Sequence, residues 1–339
     1  MMRLPWFDYR APRSVAEAAE ILAGEGPAAM LIAGGTDLLP NMKRRHQTPK
    51  VLVSLGKVEG LKQITNGSGL TLGSGLTLTE VTRNESVKEK FTGLYQAAAQ
   101  VATGHLRNMG TLGGNLCLDT RCTYYNQNYE WRKAIDFCLK KDGEICWVAT
   151  ASKRCVAVSS TDTAPALIAL NAQVVLEGPG GEREIPVEAL YKNDGIDYLS
   201  RKPDEILTEI RIPEKNFKST YWKLRRRGSF DFPILGVAVA LQFSSKNVIE
   251  NARVALGAAA SRPFLVEKAG EYLIGKTLSD ETIAETAAMI ANRAKPMDNT
   301  DMDLYWRKEV ADDFAGYALR ELRGDDMRET RRRIARFLP

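Results

Sequence analysis

Between Leu118 and Val156 the chain loses the apolar periodicity that marks a helix or strand, and gains four of its five cysteines. Cys122, Cys138, Cys146 and Cys155 stand there in the spacing C-x15-C-x7-C-x8-C, among three tyrosines and several amides. A segment with so little apolar surface cannot offset the entropy of ordering itself, so it reads as an inserted loop that a ligand must close. Four thiolates converging on one point suit either a tetrahedral metal ion or a cubane cluster. The spacing is not a compact C-x2-C pattern, and on chemistry alone an all-thiolate structural zinc site fits as well as a cluster.

The odd cysteine count argues against a disulfide framework and for ligands. Residues Met1 to Arg10 have no apolar run of signal-peptide type, so a reducing, cytoplasmic setting is expected. No window reaches the roughly 18 apolar residues of a bilayer span, so no membrane partner is expected. The net charge of +5 is dispersed rather than gathered in a stripe with aromatics, which argues against nucleic acid. Only Arg320 to Arg336, with Arg331, Arg332 and Arg333 in a run, is locally basic; it reads as a solvated helix face or a subunit contact.

On either side of the cysteine segment the chain is regular. Ser14 caps a helix over Val15 to Ala23 that Gly24 ends, and Ala28 to Ile32 and Val51 to Leu55 read as strands. Short strands follow from Gln63 to Leu72 with turns at Gly67, Gly69, Gly73 and Gly75, then helical stretches at Leu78 to Val81 and Leu94 to Val101. Beyond the insertion come a helix, Ala164 to Leu170, and a strand, Gln173 to Leu176. A boundary is placed near Ser219. Strands are expected over Tyr221 to Arg225, Leu235 to Phe243 and Ala252 to Ala259, then helices over Phe264 to Ile274, Asp280 to Ala294 and a last pair from Thr300. The reading is α+β: a first unit in two subdomains, residues 1–57 and 58–218, interrupted by the insertion at about 118–158, and a C-terminal α/β unit at 219–339.

Two glycine-rich turns carry a dinucleotide signal. Leu31-Ile32-Ala33-Gly34-Gly35-Thr36-Asp37-Leu38 runs from a strand through two glycines, and Gly110-Thr111-Leu112-Gly113-Gly114-Asn115 repeats the same small-donor chemistry. Glycine permits φ > 0 and close approach of a pyrophosphate to backbone N–H groups. Neither turn is a G-x-G-x-x-G fingerprint or a P-loop.

Ala33 to Pro40, taken with Arg107 to Asn115, resembles the FAD subunit of the molybdenum hydroxylases, a family that includes carbon monoxide dehydrogenase, xanthine dehydrogenase and 4-hydroxybenzoyl-CoA reductase. The resemblance spans essentially the whole chain. It implies an FAD-binding unit of the molybdenum-hydroxylase flavoprotein (PCMH) type in two subdomains, followed by a domain like the C-terminal one of the carbon monoxide dehydrogenase flavoprotein. By resemblance, Ala29, Met30, Leu31, Ile32, Ala33, Gly34, Gly35, Thr36 and Asp37, with Thr111, Gly113, Gly114 and Asn115, hold FAD, its pyrophosphate on the two turns. Asp162 resembles an aspartate that bonds the adenosine side, although in the run Ser159 to Asp162 it would also serve as a helix N-cap. Lys223 resembles a lysine near the isoalloxazine ring, where a cation stabilises an anionic reduced flavin.

The insertion departs from the usual family pattern and resembles that of 4-hydroxybenzoyl-CoA reductase, whose loop binds an additional [4Fe–4S] cluster. That resemblance makes Cys122, Cys138, Cys146 and Cys155 the ligands, with Cys117 a packing residue near the flavin. It further implies electron transfer from ferredoxin, through [4Fe–4S] and FAD, toward a molybdenum cofactor on a large subunit, with a small subunit carrying two [2Fe–2S] clusters, as a dimer of heterotrimers. The reaction implied is reductive dehydroxylation of 4-hydroxybenzoyl-CoA to benzoyl-CoA in anaerobic aromatic degradation, with no catalytic residue on this chain. Two rivals stay open: a flavin subunit of a xanthine, aldehyde or aromatic-ring dehydrogenase, and a stand-alone flavoprotein oxidase with a zinc loop. His46 and His105 are the only histidines, too few for a His-rich metal site.

Overall fold

The computed structural model describes residues 3–336; the readings that touch Met1, Met2 and residues 337–339 lie outside it. Three sheets organise the chain. The first is parallel, with Val51–Ser54 between Asp8–Arg10 and Ala29–Ile32. Parallel strands of one sheet need crossovers; the helix Leu38–Lys43 lies between Ala29–Ile32 and Val51–Ser54, and the helix Val15–Glu25 joins Asp8–Arg10 to Ala29–Ile32. Ser14 Oγ caps it by accepting from the Glu17 N–H at 3.1 Å. The helix runs two residues past the expected end, and Gly26, with φ +56, follows it.

The second sheet is antiparallel, in the order Ile64–Asn66, Gly69–Gly73, Ile206–Pro213, Gln173–Gly178, Gly181–Pro186. Its central strand, Ile206–Pro213, is absent from the sequence reading; it ends on Pro213. Gly69–Gly73 and Ile206–Pro213 pair directly, so everything between them, the cysteine segment included, is inserted between adjacent strands.

The third sheet, in the order Phe264–Leu265, Ile249–Gly257, Leu235–Phe243, Lys218–Leu224, is antiparallel throughout. The C-terminal unit is therefore α+β in connectivity, not alternating α/β. One face, through Val237, Val239, Leu241 and Leu256, packs on the helices Glu267–Leu273 and Leu304–Arg323, which Asp280–Arg293 backs. The other face presents Ala238, Ala240 and Ala255 to the core around the helix Thr163–Ala169. Burial on both faces explains the unbroken apolar run in Leu235–Phe243. The helix expected over Phe264 to Ile274 begins only at Glu267, because Phe264 and Leu265 pair with Leu256 and Ala255 as a short strand.

The basic C-terminal helix, Arg328–Arg336, is not simply a solvated face. Arg331 lies 4.0 Å from the Trp222 ring centre, pairs with Glu321 and donates to Thr220 Oγ1. It therefore anchors the helix to the edge strand. No helix among the described residues is long and apolar enough to cross a membrane.

Candidate functional site

The strand Ala29–Ile32 ends in the first glycine turn, which presses against the second. A Cβ on Gly34 would stand 1.9 Å from the Met109 carbonyl oxygen, so the two turns meet backbone to backbone. Gly35 holds φ +70, a conformation that favours glycine. Around them opens a cleft of about 590 Å³, within the range of about 300–1,000 Å³ usual for ligand sites. Every expected flavin residue from Ala29 to Asp37 lines it, as do Thr111, Gly113, Gly114, Asn115 and Asp162.

The turns differ in what they can offer a ligand. Among the described residues, the N–H groups of Gly34, Gly35 and Thr36 have no acceptor within the chain, leaving a run of donors suited to a pyrophosphate. In the second turn the Gly113 N–H goes to the Ser74 carbonyl, Gly114 to Thr111 Oγ1 at 3.0 Å, and Asn115 to the Thr111 carbonyl. Thr111 is the N-cap of the short helix Leu112–Leu116. Asn115 Oδ1 accepts from Thr161 Oγ1, Thr163 Oγ1 and the Thr163 N–H. The N–H groups left without an acceptor are thus those of the first turn, whereas Gly113, Gly114 and Asn115 use theirs within the chain.

Asp162 and Lys223 are brought together. Lys223 does not line the cleft. Its Nζ is buried and donates to Asp162 Oδ2 at 2.9 Å and to the carbonyls of Gln100 and Asp231 at 3.0 Å each. Burial pulls the Lys223 ammonium down and pushes Asp162 up, each opposed by its partner. Three acceptors on three N–H donors fit the charged ammonium, and Tyr221 Oη, donating to Asp162 Oδ1 at 2.8 Å, fits the carboxylate. The two thus meet as one buried pair, with Asp162 at the cleft lining and Lys223 behind it. Asp162 does not cap its helix: it makes no side-chain cap bond, and Asn115 accepts from the Thr163 N–H instead.

Sequence reasoning missed Arg121, which ion-pairs with Asp37, donates to Asn41 Oδ1 and lies 4.6 Å from the Phe232 ring centre. Burial lowers it to about 10. It joins the cysteine segment, in which it stands, to the first turn and the 226–232 loop. Its position immediately before Cys122 was the only available signal.

The insertion is pinched at its neck. Arg121 and Val158 exchange two backbone hydrogen bonds, at 2.8 and 2.7 Å, which brings Cys122 and Cys155 together. A tight turn does the same for Cys138 and Cys146: the Leu139 N–H donates to the Ile145 carbonyl, and Lys141 to the Cys138 carbonyl. Asp136 and Phe137 reach φ +59 and +57 to enter it, and the helix Tyr129–Ala134 precedes it. All four buried thiols line one small cavity with Tyr124, Tyr125, Leu139, Lys140, Trp147 and Val148. Burial pushes Cys122 up to about 12, and pushes Cys155 up to about 11 against the Ala157 N–H and the Lys140 charge. The Ala157 N–H donates to Cys155 Sγ at 3.4 Å. Cys117 is apart from this set and lines the cleft, as expected of a packing residue near it.

The chain matches the family model described as the FAD binding domain in molybdopterin dehydrogenase over residues 5–215. It matches the carbon monoxide dehydrogenase flavoprotein C-terminal domain over residues 219–322. It is 32% identical over 279 residues to the aldehyde oxidoreductase FAD-binding subunit PaoB of Escherichia coli K12, covering 79% of this chain and 86% of that one. It is 27% identical to the carbon monoxide dehydrogenase medium chain of Hydrogenophaga pseudoflava, covering 93% and 96%. The solved structure of carbon monoxide dehydrogenase from that organism superposes with a TM-score of 0.77 at 26% identity, over 94% of this chain and 97% of that one.

Proposed function

We propose a specific role within the family to which this chain belongs, the FAD-binding medium subunits of the molybdenum hydroxylases: an electron-transfer subunit that carries a [4Fe–4S] cluster beside its FAD in a reductase of the 4-hydroxybenzoyl-CoA type. In that role it relays electrons from a low-potential donor such as ferredoxin toward molybdenum on a large subunit. A small subunit with two [2Fe–2S] clusters completes the heterotrimer. The matched descriptions name FAD and no iron–sulfur group, so the cluster rests on the cysteines. The observation that carries it is the convergence of four buried thiols on one cavity next to the flavin cleft.

The donor set fits the group. Four buried thiols line one cavity, and four thiolates are the ligand set of a cubane cluster. Zinc has no redox chemistry to offer beside a flavin. FAD supplies the exchange between two-electron and one-electron carriers. The chain's own residues do the holding: Gly34, Gly35 and Thr36 present N–H groups to the pyrophosphate, and the second turn fixes the cleft floor. Tyr124, Trp147 and Val148 line the cavity beside the thiols.

The competing reading is a flavin subunit of another molybdenum hydroxylase, favoured by the 32% identity to the aldehyde oxidoreductase subunit. Iron and acid-labile sulfide analysis of the anaerobically purified complex, with assays on 4-hydroxybenzoyl-CoA and on aldehydes, separates the two. Benzoyl-CoA formation, with about four irons beyond those of the small subunit, supports the proposal. Aldehyde oxidation, with no iron assignable to this chain, sinks it.

A further inference from the structure

The flavin cleft and the thiol cavity share a wall that contains a buried ion pair. Asp119 lines the cleft, while Lys140 and Tyr125 line the cavity. Lys140 Nζ donates to Asp119 Oδ1 at 2.8 Å, to Thr120 Oγ1 at 2.7 Å and to the Gly195 carbonyl at 2.6 Å. Tyr125 Oη donates to Asp119 Oδ2 at 3.0 Å, and its ring centre lies 4.7 Å from Lys140 Nζ. The Lys140 and Asp119 side chains are 7% and 5% exposed, so their charges act with little screening by water. Gly195 fixes the geometry: a Cβ there would meet Cys155 Sγ at 2.6 Å, and its N–H donates to the Cys155 carbonyl at 2.9 Å.

We infer that Lys140 and Asp119 are positioning residues that set the reduction potentials of the two cofactors relative to each other. The inference rests on the cluster reading above. A cation at the thiol side stabilises the more negative, reduced form of a centre held there and raises its potential. A carboxylate at the cleft side disfavours added negative charge on the flavin and lowers its potential. Charge and hydrogen bonding near a cluster are established controls of its potential. A buried pair is an expensive way to seal a wall, since apolar residues of similar volume do so at less cost. The orientation of this one, cation toward the thiols and anion toward the flavin, narrows the gap between a low-potential cluster and the flavin above it.

The test is a potentiometric titration of the anaerobically purified complex, following the cluster by electron paramagnetic resonance and the flavin by visible absorbance. Lys140→Met should shift the cluster negative by about tenfold in its one-electron equilibrium, or about 59 mV, and move the flavin less. Asp119→Asn should shift the flavin positive and move the cluster less. Lys140→Arg should return the cluster close to its original potential. Should Lys140→Met fail to hold iron, Asp119→Asn and Lys140→Arg still decide the matter. Potentials that stay put, or move in the same direction in both charge-removing variants, overturn the inference while the iron content upholds the cluster. If the unaltered chain holds no iron, the cluster reading fails and this inference with it.

Discussion

Lys223 and Asp162 meet at 2.9 Å beneath the flavin cleft, one on the first strand of the C-terminal sheet and the other at the head of the helix Thr163–Ala169. Their contact joins the two parts of the chain matched by different family models. The same ammonium holds the carbonyl of Asp231, whose carboxylate accepts from the Arg226 and Arg227 N–H groups at 3.0 Å each. One buried cation thus fixes both the seam and the 226–232 loop at the cleft mouth.

Lys223→Met should therefore act on stability before it acts on flavin chemistry. It strands a buried carboxylate, and removing one partner of such a pair costs about 3–5 kcal/mol. Urea denaturation of the complex should register that loss. The double variant Lys223→Met/Asp162→Asn should recover most of it, because neither charge is then left alone. A single variant as stable as the unaltered chain would show that the pair is not the seam described here.

The two glycine turns should respond differently to substitution. Gly35→Ala forces a side chain to adopt φ +70 beside the free N–H groups, at a backbone cost of about 1–3 kcal/mol, and FAD content should fall. Thr111→Val removes the cap of Leu112–Leu116, worth about 1 kcal/mol, but leaves the first turn's donors intact, so most FAD should remain. Flavin released on denaturation, measured per chain, checks both. Gly114→Val belongs with Thr111, because its Cβ would meet Thr111 Oγ1 at 2.9 Å. Equal FAD loss at both turns would restore them to equal standing.

Serine at Cys122, Cys138, Cys146 or Cys155 should remove this chain's iron, whereas Cys117→Ser should keep it. Cys117 stands at the end of the second turn, on the cleft side of the wall. Iron counted per chain in each variant decides the ligand set; loss in Cys117→Ser, with retention in any of the other four, would redraw it.

What the sequence reveals depends on how local the cause is. Ser14, the glycine pair at Gly34 and Gly35, and the bare cysteine segment act through their own neighbours, and each is readable from a few residues. The strand Ile206–Pro213 was missed because its partners, Gly69–Gly73 and Gln173–Gly178, are remote and its prolines mimic a loop. Lys223 is placed near the flavin by resemblance alone, because a lone lysine on a strand carries no sign of the three acceptors arriving from Asp162, Gln100 and Asp231. The basic run at Arg331 reads as a solvated face or a subunit contact for the same reason: Trp222 and Glu321 reach it only through the tertiary fold.

His46 makes the base of the insertion sensitive to acid. It is buried, stacks on Tyr125 at 4.4 Å between ring centres, and bonds the Gln127 carbonyl through Nε2 at 3.1 Å, leaving Nδ1 without a partner. A carbonyl acceptor makes Nε2 the protonated nitrogen of a neutral ring. Burial lowers the group from 6.5 to about 4 in the folded chain, with the Gln127 bond opposing and Arg132 and Arg44 adding to the shift. The unfolded chain therefore binds the extra proton first as pH falls. The stability is fully present above about 6.5, declines between 6.5 and 4, and falls no further from this group below 4. At 1.36 kcal/mol per pKa unit the whole window is worth about 3 kcal/mol. His46→Phe, which keeps a ring against Tyr125 but cannot titrate, should flatten this part of the profile while losing the Gln127 bond at every pH. Urea midpoints of both proteins, measured from pH 7.5 down to pH 4, should converge as the pH drops. Parallel curves would mean that His46 has the same pKa folded and unfolded, so that burial does not hold it neutral.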